Sequence, residues 1–133
     1  MANPTFLELI RERGGSTPIG QLHAVMDVVE QLIEPEDYQG CIFVNAAMEF
    51  PLPHEPAHVA AEHNRQAIES IVHDLAVDAD ADDPKALAAE LCLVMQGAYV
   101  TRLLTGDRAT IRIARQLADL VIASHCRAAV GAD

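Results

Sequence analysis

The stretch YQGCIFVNAAMEF, residues 38–50, decides how the chain is read. Its apolar run at 41–44 has the length and content of a buried strand, whereas 45–49 is helix-forming. A strand needs a partner, and no second strand-like run occurs elsewhere in the sequence. The stretch is therefore read as a largely buried helix, and the fold class that follows is all-α. Pro51, Pro53 and Pro56 close it in a rigid turn.

Helix signals continue on both sides. Asn3-Pro4 reads as an N-cap with proline at the first helical position, followed by Phe6, Leu7 and Ile10 on one face, and Gly14-Gly15 as a stop. Thr17-Pro18 repeats the start. Ile19, Leu22, Met26, Val29 and Ile33 then recur at spacings of three and four, an amphipathic helix ended by Pro35. After the proline-rich turn a helix runs from about 56 to about 77, with Ile68, Ile71, Val72 and Leu75 facing the core. Residues 78–83 are an acidic linker, and Asp83-Pro84 starts a helix that Gly106 ends. Asp107 caps the last helix, which carries Ile111, Ala114, Leu117, Val121 and Ile122; the tail after Cys126 reads as frayed. About six helices with short connections and no internal repeat make residues 1–133 a single domain.

Composition agrees. Half the residues are hydrophobic, yet only 4% are aromatic and much of the rest is alanine, which is helix chemistry. The net charge of -11 repels phosphate backbones, so autonomous nucleic-acid binding is not expected. Cys41, Cys92 and Cys126 are odd in number and far apart, which fits a reducing cytoplasm better than a disulfide framework. No signal peptide or membrane span is visible.

Sites of chemistry are weak. His54, His58 and His63 cluster around Glu62, and the stretch from His58 to His63 nears an inverted zinc-protease motif but has one residue too many and no downstream carboxylate placed as a third ligand; no metal is expected. Asp78, Asp80 and Asp82 open like a calcium loop, but Asp83 and Ala89 occupy its decisive glycine and glutamate positions. No serine has a nucleophile-elbow context, so the chain is read as a non-enzyme without cofactor. A small helical enzyme using Glu49 or His63 is kept as a distant alternative.

Two features point to binding instead. Leu87, Leu91, Val94, Met95 and Ala98 form one apolar face of the helix 84–105, and Leu93, Val100, Leu103 and Leu104 a second. On the last helix Ile113, Leu117 and Leu120 oppose Ala114, Ala118 and Ile122. Two stripes mean a broad monomer core or pairing across a two-fold axis. Met26, Met48 and Met95, with Asn45, Gln96 and Tyr99 nearby, suit either ordinary packing or an adaptable apolar pocket.

The segment GCIFVNAAMEFP, residues 40–51, resembles the G-C-x-F-x-N-A-A-x-E-F segment of the C-terminal regulatory domains of TetR/AcrR-type transcription regulators. The proline-rich turn, long helix, acidic linker and last two helices extend the likeness over roughly residues 5–126. The resemblance implies an all-helical sensor of a small, often apolar effector, whose last two helices build a homodimeric four-helix bundle. Carried onto this sequence, Cys41, Asn45, Met48, Met95 and Tyr99 would bind the effector, and the methionine-pocket reading adds Met26. Leu93, Val100, Leu103, Leu104, Ala114, Ala118 and Ile122 would form the dimer interface. The resemblance departs at the start, where the family's helix-turn-helix is not found in the short segment before Thr17. The chain is therefore expected to be an effector and dimerisation domain without its own DNA reader, or an interaction module that pairs with a full-length relative.

Overall fold

The computed structural model describes residues 5–126, which form six α-helices and, among those residues, no strand. The all-α expectation holds.

Helix α1 (Phe6–Gly14) starts with a capping box: the Thr5 hydroxyl accepts from the Glu8 amide, and Glu8 accepts from the Thr5 amide. The cap expected at Asn3 with Pro4 lies outside the described residues, as does the tail after Cys126. Helix α2 (Pro18–Ile33) follows, with Thr17 accepting from the Gly20 amide at 3.1 Å. The two helices meet backbone to backbone. A Cβ on Gly14 would lie 2.6 Å from Gln21 Cα, and one on Gly20 would lie 2.5 Å from the Gly14 carbonyl oxygen.

α2 is the central helix. It buries Val25, Val28 and Ala24 beside the expected Leu22, Met26, Val29 and Ile33, and it packs on α1, α4, α5 and α6. Helix α4 (Pro56–Asp78) turns Val72, Leu75 and Ala76 to this core, with Ile68 and Ile71 half-buried against it. The linker after it includes Asp80 at positive φ, and the Asp82 amide donates to the His125 carbonyl. Helix α5 (Pro84–Thr105) begins at the Asp83 cap and ends at Gly106 in the left-handed conformation. By length and mean hydropathy alone α5 could span a membrane, but its buried face packs on α2, α4 and α6, as in the core helix of a soluble domain. Helix α6 (Thr110–His125) is entered through a turn: the Asp107 carboxylate accepts from the Ala109 amide, not from the first turn of the helix.

Helix α3 (Ile42–Glu49) differs from its sequence reading. It is a helix, but none of its residues is buried, and its main packing partner is α4 alone. Its apolar content covers a cavity instead of filling the core.

The two stripes of α6 also come out differently. Ala114, Ala118 and Ile122 face the subunit's own core, so they are not available to a second chain. Their small side chains let α6 lie close against α2 and α5. Ile113, Leu117 and Leu120 form the outward stripe. On α5 the expected set does face outward: Leu93 and Leu104 are 74% and 79% exposed, with Val100 and Leu103 about half as much.

Candidate effector cavity and comparison with known proteins

α3 lies across α4 and near α5, and beneath it is a cavity of about 440 Å³. Phe6 of α1, Leu32 of α2, Ile68 of α4 and Met95 of α5 supply apolar wall; the segment from Tyr38 to Phe43 closes one side. Gly40 makes that closure possible. It has φ +96, and a Cβ there would sit 3.0 Å from the Asn45 amide nitrogen and 3.1 Å from a methyl of Leu103. On the other side of α3 a groove of about 280 Å³ runs past Val44, Ala47, His58 and Glu62. Cavity and groove share Cys41, Phe43, Asn64, Arg65 and Gln96, so they adjoin across these side chains, which form the waist between them.

The polar groups are few. Tyr38 donates its hydroxyl to the Tyr99 carbonyl at 3.3 Å, and the Arg102 guanidinium stands 5.7 Å from the Tyr38 ring centroid. Burial raises the pKa of both tyrosine hydroxyls, most strongly that of Tyr99. Burial also pushes the Cys92 thiol up to about 11, so at neutral pH it is a protonated, unreactive wall group. Arg65 at the waist is held by Glu62 through Nε and Nη2 and by Glu69 at 3.2 Å. The hydrogen bonds that Arg65 donates hold the Glu62 carboxyl below the usual carboxylate range, and the same bonds raise the guanidinium.

The expected effector residues fall into three groups. Cys41, Met95 and Tyr99 line the cavity, and Gln96 joins them. Met48 is 75% exposed and reaches only the outer groove. Met26 and Asn45 line neither space. Met26 is buried in the α2 core, and the exposed Asn45 donates its amide to the Gln39 carbonyl at 3.0 Å, which shapes the loop. For Asn45 and Met48 the cause is the rotation of α3, which turns Phe43 inward and these two outward.

Sequence reasoning missed Tyr38, Asn64 and Arg65. Arg65 did carry a signal: a lone cation with Glu62 three residues before it and Glu69 four after. Such a pattern usually marks a solvated helix face, and here it marks the mouth of a cavity. The histidines near Glu62 take other roles. His58 donates Nδ1–H to the Phe50 carbonyl, and Glu62 is engaged by Arg65.

The comparisons with known proteins agree with this architecture. Residues 18–118 match the family described as tetracyclin repressor-like, C-terminal domain. The HTH-type transcriptional regulators YjdC of Escherichia coli K12 and of Shigella flexneri are each 28% identical over 108 residues, covering 80% of this chain and 56% of theirs. The chain thus spans about half the length of these relatives. In fold it is similar to SCO4454, a TetR-family transcriptional regulator from Streptomyces coelicolor, with a TM-score of 0.82 over 91% of this chain and 65% of that one, at 24% identity. It is also similar to sav143 from Streptomyces avermitilis, a putative TetR-type regulator, with a TM-score of 0.75 over 84% of this chain and 60% of that one, at 25% identity.

Proposed function

Because the chain belongs to the tetracyclin repressor-like C-terminal domain family, we propose that it senses a small, chiefly apolar effector in the cavity beneath α3 and pairs with a second copy through α5 and α6. Domains of this family generally dimerise and bind small effector ligands. The observation that carries the effector half is the cavity itself. About 440 Å³ of mostly apolar wall with a few polar groups is the usual make-up of a small-molecule site. The dimer half is supported by the outward stripes, Leu93, Val100, Leu103 and Leu104 on α5 with Ile113, Leu117 and Leu120 on α6. Contact with DNA is assigned to elements other than this acidic domain.

Thermal-shift screening tests the effector half. A ligand at a hundred times its Kd adds about 2.7 kcal/mol and raises the melting temperature by several degrees. The stabilisation is expected to disappear in Gln96→Trp, where the new ring fills the waist. A library without hits, or hits unaffected by Gln96→Trp, would count against the cavity as the effector site.

A further inference from the structure

The waist between cavity and groove also bears on what the effector carries. Among the described residues, Arg65 is the only charged side chain on the cavity wall. Glu62 and Glu69 already surround it, two carboxylates to one guanidinium. A carboxylate or phosphate on the ligand would have to displace Glu62, or join as a third anion around a single cation. A ligand cation fares no better. The cavity wall offers it no carboxylate, and Glu62 in the groove is committed to Arg65. Burying an ammonium without a partner is expensive.

The neutral polar groups are placed differently. Asn64 on α4 and Gln96 on α5 each border both the cavity and the groove. Neither side chain hydrogen-bonds to another described residue. An amide offers donors and an acceptor together, so it suits a hydroxyl or carbonyl equally. Both amides are half-buried at the border of the apolar space, where a ligand hydroxyl or carbonyl can use their hydrogen-bonding groups.

We propose that the effector is an uncharged amphiphile, its apolar body in the cavity between Ile68 and Met95 and its hydroxyl or carbonyl group received by Asn64 and Gln96. This rests on the effector reading above and narrows it to one charge class.

Four rigid probes of matched shape test it: naphthalene, 2-naphthol, 2-naphthoate and 2-naphthylmethylammonium, titrated calorimetrically into the whole chain at neutral pH. The expected order places 2-naphthol about tenfold tighter than naphthalene, the worth of one good hydrogen bond, and at least as far ahead of both ions. Gln96→Leu and Asn64→Leu should each shrink the naphthol-to-naphthalene ratio towards one. Naphthalene should still bind these variants, which shows that the cavity has survived the substitution. Naphthoate or the ammonium binding as tightly as naphthol would overturn the charge class and leave the effector site standing. A naphthol preference that persists in both variants would overturn the role of the amides. Silence from all four probes, naphthalene included, would sink the cavity as an effector site and this proposal with it.

Discussion

Arg102 Nε lies 2.8 Å from the Ile33 carbonyl oxygen, and Nη2 of the same guanidinium donates to the Pro35 carbonyl at 2.8 Å. A buried side chain on α5 thereby satisfies the carbonyl end of α2, where helix carbonyls have no partner of their own. It also braces the loop that carries Tyr38 and Gly40 to the cavity. Replacement by methionine keeps volume but takes this donor from the buried Ile33 carbonyl, while the Pro35 carbonyl keeps the Tyr38 amide. Arg102→Met is expected to cost about 2 kcal/mol in urea unfolding. Arg102→Lys should recover little, because one ammonium cannot reproduce the planar fork. Full stability in Arg102→Met would show that water replaces the guanidinium at no cost.

The outward stripes predict how the assembly responds to charge. Leu104→Glu and Leu120→Glu place carboxylates on exposed positions, so each chain should keep its fold. Sedimentation velocity should then show monomer at concentrations where the unmodified chain is expected to dimerise. Ala118→Glu should instead unfold the domain, since Ala118 is 1% exposed and faces the core. A dimer that tolerates both leucine changes would place the interface elsewhere.

Gly97 supplies a finer test of the same face. It sits within α5 four residues after Leu93, and a Cβ there would meet nothing within 4 Å in this chain. On an open helix surface Gly→Ala stabilises by about 1 kcal/mol. A partner helix packed closely there would reverse the sign. Gly97→Ala is expected to raise the dimer dissociation constant, read by dilution in analytical ultracentrifugation. Unchanged dimerisation with the full helix gain would mean that no partner approaches Gly97.

Cys92 predicts an alkaline weakness. Its folded pKa of about 11 lies above the ordinary 9.0, so the folded state holds its proton while the unfolded chain has already lost it. Stability from this group is therefore complete below pH 9, falls as pH rises from 9 to 11, and is gone above that. The expected loss is about 2 kcal/mol, in the same direction as that from buried Cys126 and Tyr99. Urea midpoints measured across this range should fall less steeply in Cys92→Ala. Parallel profiles for the two proteins would remove Cys92 as the cause.

The elements that were legible in the sequence are those with local causes. Thr17-Pro18 and Asp83-Pro84 start helices because cap and first turn lie within three residues of each other. Gly106 ends α5 because its own φ is positive. The motif at 40–51 identified the family because its residues are contiguous. On that basis six helices, their order and the part played by Cys41, Met95 and Tyr99 as neighbours on one wall could be anticipated.

Facing could not. Ala114, Ala118 and Ile122 read as well outward as inward until α6 is laid against α2, where Arg115 pairs with Asp27 and Glu30 across 88 and 85 residues. α3 is apolar enough for a core, and only its place beyond α4 leaves it as a cover with Met48 outside. Met26 belongs to the core because α2 turned out to be central, surrounded by four helices. Helix starts and stops are written locally, because capping and periodicity act within a turn or two. Which stripe each helix buries, and which polar groups meet at the waist, is set by packing, because those depend on contacts between residues far apart in the chain, such as Arg102 and Ile33.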